Sequence, residues 1–236
     1  MKHQVPAPPA ELSMHDGLAY ALFLPDAPPA AGVVVLHGAG SAKENHFDFA
    51  RAARGFGLAA LAFDARGHGE SEGEFGPGCI ADVLSMSDLL REHAPRVALR
   101  GSSMGGFQAI HAGAASNGEI GAVVAICPAP AEQLLRGIRT GSLHSFRMNR
   151  PALEDWLPTL DTVAAAASLA PDTALLLLHA QGDESVPYTV SQDIYAAAGR
   201  PKQLLLLPGG HHRSIQHDDE LQAESLRFIE KRLTSR

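Results

Sequence analysis

The sequence predicts an α/β fold built on a doubly wound, mostly parallel sheet. Six short apolar runs, nearly continuous in valine, leucine, isoleucine and alanine, each end in turn residues. Strands that are buried on both faces have this composition, and such strands belong to parallel sheets. Helical patterns, with apolar residues three and four positions apart, lie between the runs. This alternation of strand and helix indicates right-handed βαβ units.

The predicted elements follow the chain in order. A weaker strand, Leu18–Pro25, comes first and pairs with Glu11–Met14 as an antiparallel edge hairpin. The six parallel strands are predicted at Val33–Gly38, Leu58–Asp64, Arg96–Ser103, Gly121–Cys127, Ala174–Ala180 and Lys202–Gly209. The helices between and after them are predicted at Asn45–Phe56, Ile80–His93, Met104–Ala115, Pro187–Ala198 and Asp218–Leu233. Open parallel sheets bind ligands at the carboxyl ends of their strands, so functional residues are expected directly after each run.

One stretch, Pro128–Asp172, is longer than a crossover helix requires. It contains two helical patterns, Gln133–Arg139 and Ala152–Ala167. Segments of this length between two strands are often lids or small caps over a site. We therefore expect one α/β domain over residues 1–236, with a small helical cap insertion at residues 128–172.

Composition and charge already argue against several classes of function. The chain has 236 residues, 45% of them hydrophobic and 19% charged, which is typical of a folded globular protein. Its formal net charge of −7 argues against nucleic acid as a partner, because phosphate binding requires a surface rich in lysine and arginine. No uncharged apolar run reaches the roughly 18 residues of a membrane span, and the proline-rich first ten residues contain no signal-peptide core. With only two cysteines, Cys79 and Cys127, the expected location is the reducing cytoplasm.

The strongest motif is Gly101-Ser102-Ser103-Met104-Gly105, which follows a predicted strand and opens a predicted helix. This is the context of the G-x-S-x-G nucleophile elbow, in which a sharp turn holds the serine in a strained conformation. Glycines two positions before and after the serine allow neighbouring segments to approach closely. A motif this short also occurs by chance in turns, but the flanking strand and helix favour Ser103 as a nucleophile.

A serine nucleophile requires a base, and the base requires an orienting group. Asp183 lies in the loop after the fifth apolar run, and the pair His211 and His212 lies in the loop after the sixth. The three groups would therefore meet at one edge of the sheet, in the chain order serine, aspartate, histidine. Each piece alone has a simpler interpretation: Glu184 is an alternative acid, either carboxylate can cap a turn, and the histidines can be surface residues.

The segment His37-Gly38-Ala39-Gly40 ends the first parallel strand. Acyl transfer through a tetrahedral intermediate needs backbone N–H donors aimed at the oxyanion. One donor is expected from Met104, directly after the nucleophile, and the other from Ala39. A glycine-rich turn would explain the glycines but not the His-Gly pair at this strand.

Together these motifs resemble the α/β-hydrolase superfamily, in the group of serine esterases, lipases and aminopeptidase-like enzymes. The resemblance runs from His37 to His212 and includes Asp64–Ser71, which is similar to a D-x-R-G-x-G-x-S loop that is mainly structural in the family. It implies that Ser103 is the nucleophile, Asp183 the acid and the histidine of a P-G-x-x-H pattern the base. Alignment of that pattern favours His212 over the preceding His211. The insertion is smaller than the caps of many lipases, which leaves the substrate open.

Four residues are candidates for contact with a substrate. Arg136 and Arg139 belong to a positively charged patch in the insertion, which would attract an acidic substrate or an acyl-CoA. A solvated helix face is the simpler interpretation of the same arginines. Trp156 would line an apolar acyl pocket, or would serve only to pack its helix on the body. His37, beside the expected oxyanion loop, completes the set.

Neither a metal nor a cofactor is expected. His211, His212 and His217 are close in sequence, but neighbouring histidines on a turn do not point two ligands in one direction, and no cysteine or paired acid lies nearby. The sequence contains no G-x-G-x-x-G and no P-loop motif.

The sequence therefore predicts a serine hydrolase, most simply a carboxylesterase, whose partner is a small or medium carboxylic ester. The same machinery would serve a thioesterase, an amidase or a peptidase, because the pocket rather than the triad selects the leaving group. A non-catalytic small-ligand-binding protein on the same fold is the third interpretation.

Overall fold

An eight-stranded sheet organises the fold, as seen in a computed structural model that describes residues 7–234. The strands are β1 (Glu11–His15), β2 (Leu18–Phe23), β3 (Gly32–Leu36), β4 (Ala59–Phe63), β5 (Val97–Ser102), β6 (Ile120–Ile126), β7 (Ala174–Ala180) and β8 (Lys202–Leu207). They lie in the order β1-β2-β4-β3-β5-β6-β7-β8 across the sheet. The predicted edge hairpin and six parallel strands are confirmed, with ends that shift by no more than two residues.

The direction of the strands creates one position suited to a ligand. Strand β2 pairs antiparallel with β1 on one side and with β4 on the other. Every other neighbouring pair of strands is parallel. From β3 the chain moves to β4 on one side, whereas β5 and the later strands extend the sheet on the other side. The strand order therefore reverses between β3 and β5. In open α/β sheets this reversal leaves a crevice at the carboxyl ends of the two strands.

Helices cover both faces of the sheet. They are α1 (Phe47–Gly55), α2 (Cys79–Arg91), α3 (Met104–Ala115), α4 (Ala131–Thr140), α5 (Arg150–Trp156), α6 (Thr162–Ala167), α7 (Thr189–Ala197) and α8 (Asp219–Thr234). Alternate residues of β3 face opposite sides, as the pleat of a strand requires: Val35 packs with α1 and α8, and Val34 packs with α2 and α3. None of the helices in the described part of the chain is long and apolar enough to cross a membrane.

The segment between β6 and β7 differs from the prediction in one element. The prediction of one continuous helix over Ala152–Ala167 is wrong. The chain instead forms α5, a short 3₁₀ turn at Leu157–Thr159 and then α6. Pro158 lacks the N–H that a continuing helix needs, and Asp161 begins a new helix. The Asp161 carboxylate accepts hydrogen bonds from the N–H groups of Val163 (2.8 Å) and Ala164 (3.0 Å), which is the usual role of an N-cap.

Two sets of contacts hold this segment on the body. Leu134 and Ile138 of α4 are buried in an apolar cluster with Met104 and Phe107 of α3. Further along, residues 147–149 hydrogen-bond to the loop at residues 67–75. The bonds are Arg147 N–H to Gly67 C=O, Phe75 N–H to Arg147 C=O and Asn149 N–H to Phe75 C=O, each 3.0 Å, and Arg147 guanidinium to Ser71 C=O, 2.7 Å. The segment is therefore fixed at two separate places.

Candidate active site

Ser103 lies in the turn between β5 and α3, in the crevice where the strand order reverses. Its backbone has φ 54° and ψ −114°, a conformation that L-residues rarely adopt and that costs on the order of 1–3 kcal/mol. Three backbone hydrogen bonds hold it there. The Ser103 N–H donates to Ile126 C=O (2.9 Å), and its C=O accepts from the N–H groups of Ala129 and Phe107 (both 3.1 Å). The strain predicted from the motif is thus present, and it is supported by β6, by the residues that follow β6 and by α3.

The two glycines of the motif are required by close backbone contacts. A Cβ at Gly101 would lie 2.1 Å from the carbonyl oxygen of Gly105, and a Cβ at Gly105 would lie 2.4 Å from that of Leu36. Real Cβ atoms do not approach oxygen so closely. The turn therefore sits directly against the end of β3, and this brings Ser103 beside the loop that follows β3.

The structure brings His212 and Asp183 together. Nδ1 of His212 lies 2.7 Å from Oδ2 of Asp183, whose side chain is fully buried. The other carboxylate oxygen accepts the N–H groups of Ser185 and Val186, both at 2.8 Å. An ionised carboxylate only accepts hydrogen bonds, so Nδ1 carries the imidazole hydrogen and Nε2 of His212 is the acceptor nitrogen. This is the tautomer that a general base needs.

The alternative acid and base lie elsewhere. The imidazole of His211 is exposed and makes one contact within residues 7–234, from the N–H of Arg213 at 3.3 Å. The Glu184 carboxylate accepts the backbone N–H of His212 at 3.1 Å and does not contact its imidazole. Of the four residues weighed from the sequence, the geometry therefore pairs Asp183 with His212.

A second histidine, His179, contacts the same carboxylate and was not assigned a role from the sequence. It is fully buried at the end of β7, with Nδ1 2.7 Å from Ser191 Oγ. Its Nε2 lies 3.0 Å from Val186 C=O and 3.3 Å from Asp183 Oδ2. Both are acceptors, so Nε2 carries the hydrogen. A histidine at a strand end, four residues before the candidate acid, is the signal that would have identified it.

These contacts keep Asp183 ionised. Burial of the carboxyl favours its neutral form, but the hydrogen bonds from His179 and His212 and from the Val186 N–H outweigh this effect. The pKa of Asp183 therefore lies well below its usual range. A buried anion beside His212 stabilises the protonated form of that imidazole, which a general base must pass through.

Cys127 completes the surroundings of Asp183. Its ligand atom and those of His179 and Asp183 lie within 4.8 Å of one another, an arrangement that invites a metal interpretation. The thiol is 1% exposed, and burial raises its pKa far above the usual value, so without a metal it is a neutral, buried group. His179 Nε2 is occupied by its hydrogen and Asp183 Oδ2 by His212. The trio is therefore explained as the hydrogen-bonded surroundings of the carboxylate.

His37 orients the loop that carries Ala39. Its Nε2 accepts the N–H of Ala65 at 3.0 Å, so Nδ1 holds the hydrogen and donates it to Gly38 C=O at 2.8 Å. The C=O and N–H of a trans peptide point in opposite directions, so the Ala39 N–H points away from His37. Within the described residues, neither this N–H nor that of Met104 donates a hydrogen bond. Both groups predicted as oxyanion donors therefore lack an acceptor within residues 7–234, and Ala39 lines the cavity described next.

Ser103, His212 and Ala39 line one cavity of about 820 Å³. No hydrogen bond joins Ser103 to His212 within residues 7–234, but both open onto the same space. The walls combine polar and apolar surface in similar amounts, and Leu134 and Leu143 are the largest apolar side chains among the lining residues. A cavity of this size with a mixed lining suits a small-molecule ligand.

The residues predicted to contact substrate divide into two groups. Arg136 lines the cavity, but Arg139, three residues further along α4, does not. Trp156 also lies outside the lining, because it packs edge-on against Phe107 with ring centroids 6.2 Å apart. His37 is 2% exposed and is occupied by the loop contacts described above. The structure therefore places only Arg136 of these four where a ligand would lie.

One polar part of the cavity lining is formed by residues that no sequence motif predicted. Ser102 Oγ donates to Gln216 Oε1 at 2.7 Å, and Gln216 and His217 both line the cavity. His217 Nδ1 is paired with Asp48 Oδ2 at 2.8 Å. These partners are more than one hundred residues apart in the chain, so no local pattern could have connected them.

The crevice, the strained serine and the Asp–His pair define an α/β-hydrolase. A family profile described as "Serine aminopeptidase, S33" matches residues 27–157, more than half of the chain. The chain therefore belongs to the serine aminopeptidase S33 family and is a hydrolase of the α/β-hydrolase superfamily.

Sequence relatives include bacterial and human proteins. An uncharacterized protein of Mycobacterium tuberculosis is 28% identical over 206 residues, which cover 83% of this chain and 68% of the relative. YfhR of Salmonella typhi is 32% identical over 167 residues, 64% of this chain and 53% of YfhR. Human monoglyceride lipase is 36% identical over 115 residues, 44% of this chain and 37% of the lipase.

Solved structures share the fold at low sequence identity. Est1E of Butyrivibrio proteoclasticus, solved with ferulic acid bound, has a TM-score of 0.76 and 20% identity, and the match covers 96% of this chain and 100% of Est1E. A soluble variant of the Saccharomyces cerevisiae monoglyceride lipase has a TM-score of 0.77 and 17% identity, with coverage of 100% and 98%. At this identity the likeness establishes the fold alone.

Proposed function

We propose that the protein is a serine hydrolase that cleaves small or medium carboxylic esters through an acyl-enzyme. The observation that carries the proposal is that a strained serine, Ser103, and an aspartate-paired histidine, His212, open onto one cavity. A strained serine whose side chain lines a cavity and a base in the correct tautomer are the two parts that nucleophilic catalysis requires.

In the first half of the reaction Ser103 Oγ attacks the ester carbonyl carbon. His212 Nε2 takes the hydroxyl proton, and Asp183 stabilises the imidazolium that results. The carbonyl oxygen becomes an anion, which the N–H groups of Ala39 and Met104 stabilise. When the tetrahedral intermediate collapses, the bond to the alcohol oxygen breaks and His212 returns its proton to that oxygen. The products are a free alcohol and acylated Ser103.

In the second half a water molecule repeats the sequence. His212 removes a proton from the water as it attacks the acyl carbon, and the same two N–H groups stabilise the second oxyanion. Collapse breaks the bond to Ser103 Oγ, and His212 returns the proton to it. The carboxylic acid leaves and the enzyme is restored, so one water is consumed for each ester cleaved.

The size of the cavity supports the choice of substrate. Its volume of about 820 Å³ would accept a small-molecule ester. Thioesters and amides would pass through the same steps. Measuring kcat/KM for an ester, a thioester and an amide with the same acyl group would decide among them, and we expect the ester to be fastest.

The test of the proposal is covalent labelling with a fluorophosphonate, which phosphonylates an activated serine with loss of fluoride. Intact mass and peptide mapping of the purified protein should show one adduct on Ser103. Ser103→Ala should remove both the adduct and ester turnover while the protein stays folded by circular dichroism.

Adjacent histidines supply a matched control. His212→Ala should slow labelling strongly, whereas His211→Ala should label at nearly the native rate, because only His212 is paired with Asp183. Labelling that depends on His211 instead would reassign the base. Folded protein that forms no adduct and hydrolyses no ester would overturn the proposal and favour a non-catalytic ligand-binding protein.

A further inference from the structure

We infer that the site prefers esters that carry an anionic group, a carboxylate or a phosphate, held by Arg136 and Arg213. The inference rests on the proposed ester hydrolysis and adds the class of substrate to it. Its basis is a pair of arginines that line the same cavity as Ser103 and that have no anionic partner within residues 7–234.

Arg136 is held on the cavity side of α4 by the packing of that helix. Leu134 and Ile138 turn into the apolar cluster, while Gln133, Arg136 and Thr140 line the cavity at spacings of three and four residues. Gln133 Nε2 also donates to Ser185 C=O at 2.6 Å, which ties α4 to the loop that carries Asp183. These contacts fix the backbone of α4 at the turn that carries Arg136.

Arg213 follows His212 directly, so it enters the cavity from the loop that carries the candidate base. Neither its guanidinium nor that of Arg136 donates a hydrogen bond or forms an ion pair among the described residues. Among the other arginines, Arg66 pairs with Asp82 (3.0 Å) and Arg150 with Glu154 (2.8 Å), whereas Arg139, outside the cavity, has no ion pair within residues 7–234. Arg136 and Arg213 are thus two arginines with unpaired guanidinium groups that line the cavity.

The cavity lining is positive although the chain as a whole is negative. Glu184 is its one carboxylate, and that carboxylate accepts the backbone N–H of His212. The chain as a whole has a formal net charge of −7. A concave, cationic lining raises the local concentration of anions, and guanidinium groups bind carboxylate and phosphate through paired hydrogen bonds.

The experiment compares matched ester pairs that differ by one anionic group. Monoethyl adipate against ethyl hexanoate places the charge on the acyl side. The 4-acetoxybenzoate anion against its methyl ester places it on the alcohol side. We expect kcat/KM to favour the anionic member of at least one pair by about tenfold, the size of one charge-assisted hydrogen bond. The pair that shows the preference identifies which side of the ester the arginines face.

Arginine variants assign the preference to the cavity. Arg136→Gln and Arg213→Gln should each reduce the ratio of anionic to neutral kcat/KM, and the double variant should bring it near one. Arg139→Gln is the matched control, because it removes the same charge from the same helix at an exposed position outside the lining. It should leave the ratio unchanged, and circular dichroism should show that every variant is folded.

The outcomes separate the inference from the proposed function. Equal turnover of both members of each pair, or an equal effect of Arg139→Gln and Arg136→Gln, would overturn the anion preference and leave the esterase intact. Absence of turnover for every ester, together with absence of fluorophosphonate labelling, would overturn both.

Discussion

His179 Nε2 lies 3.3 Å from Oδ2 of Asp183, the same oxygen that accepts the hydrogen bond from His212. One carboxylate oxygen therefore faces two imidazoles, one buried and one at the cavity. The buried imidazole is itself held by Ser191 and by the carbonyl of Val186. The Asp183 carboxylate is therefore oriented by His179 on its buried side and by His212 on the side of the cavity.

The first prediction concerns this buried contact. His179→Ala should lower kcat by roughly tenfold with a smaller change in KM, since Asp183 would lose one of the contacts that orient it, as for other outer partners of a functional residue. His179→Gln should retain part of the activity, because its amide N–H can still reach the carboxylate. Steady-state kinetics on one ester would measure both effects.

A buried histidine outside the site controls for lost packing. His111, on α3, contacts Thr162 and Phe107 and does not contact Asp183. We expect His111→Ala to lower thermal stability while it leaves kcat nearly native. If His111→Ala and His179→Ala reduce kcat equally, the role of His179 is structural only.

The second prediction concerns the loop after β3. His37→Ala should reduce kcat by roughly 10- to 100-fold with little change in KM, because Gly38 C=O would be released and the Ala39 N–H would lose its fixed direction. His37→Asn, whose amide can still donate to Gly38, should recover part of the loss. A native kcat in His37→Ala would show that the donor does not depend on this hydrogen bond.

The third prediction concerns the turn that holds Ser103. Gly105→Ala should lower the free energy of unfolding by about 3 kcal/mol or more, because the new Cβ would meet the Leu36 carbonyl at 2.4 Å. Gly55→Ala, at the end of α1 with nothing within 4 Å, should be neutral or stabilising by about 0.5–1 kcal/mol. Urea unfolding followed by circular dichroism compares the two, and similar values would contradict the close contact.

The fourth prediction concerns the acid stability of the fold. Burial, and then the nearby Arg100, lower the pKa of His46 to about 3, whereas an unfolded histidine titrates near about 6.5. Between these values the unfolded chain binds a proton that the folded chain does not. Stability should therefore fall as the pH decreases from about 6.5 to about 3, by up to about 1.4 kcal/mol per pH unit from this residue.

Substitution tests that assignment directly. His46→Phe removes the titrating group from a 1% exposed site and should flatten the decline in unfolding free energy across that pH range. His93→Gln, at an exposed position on the surface, should leave the decline unchanged. Parallel stability curves for native protein and His46→Phe would show that the acid sensitivity arises elsewhere.

Local patterns were sufficient for the sheet, most helices and the position of Ser103. Buried aliphatic runs and a strand–turn–helix motif involve residues that are neighbours in the chain, so they can be recognised from the sequence alone. Proline at 158 and aspartate at 161 also marked the helix break between α5 and α6, but the apolar spacing on both sides concealed it. The pairing of His212 with Asp183 was inferred from the resemblance and agrees with the geometry.

The contacts that were missed depend on packing across the fold. His179 meets Asp183 because the loop after β7 turns back over the end of that strand. Gln216 meets Ser102 across 114 positions of the chain. Which of two similar arginines reaches the cavity is decided by the direction in which Leu134 and Ile138 pack, and this direction follows from the body beneath α4. Spacing alone treats Arg136 and Arg139 as equivalent.

The bonds between residues 147–149 and the loop at residues 67–75 have a consequence for how the insertion can move. Lifting this stretch as a flap would break three backbone hydrogen bonds and the Arg147–Ser71 contact together. An opening motion that keeps these bonds is therefore confined to the segments before and after them, and residues 147–149 act as the anchor about which those segments would pivot.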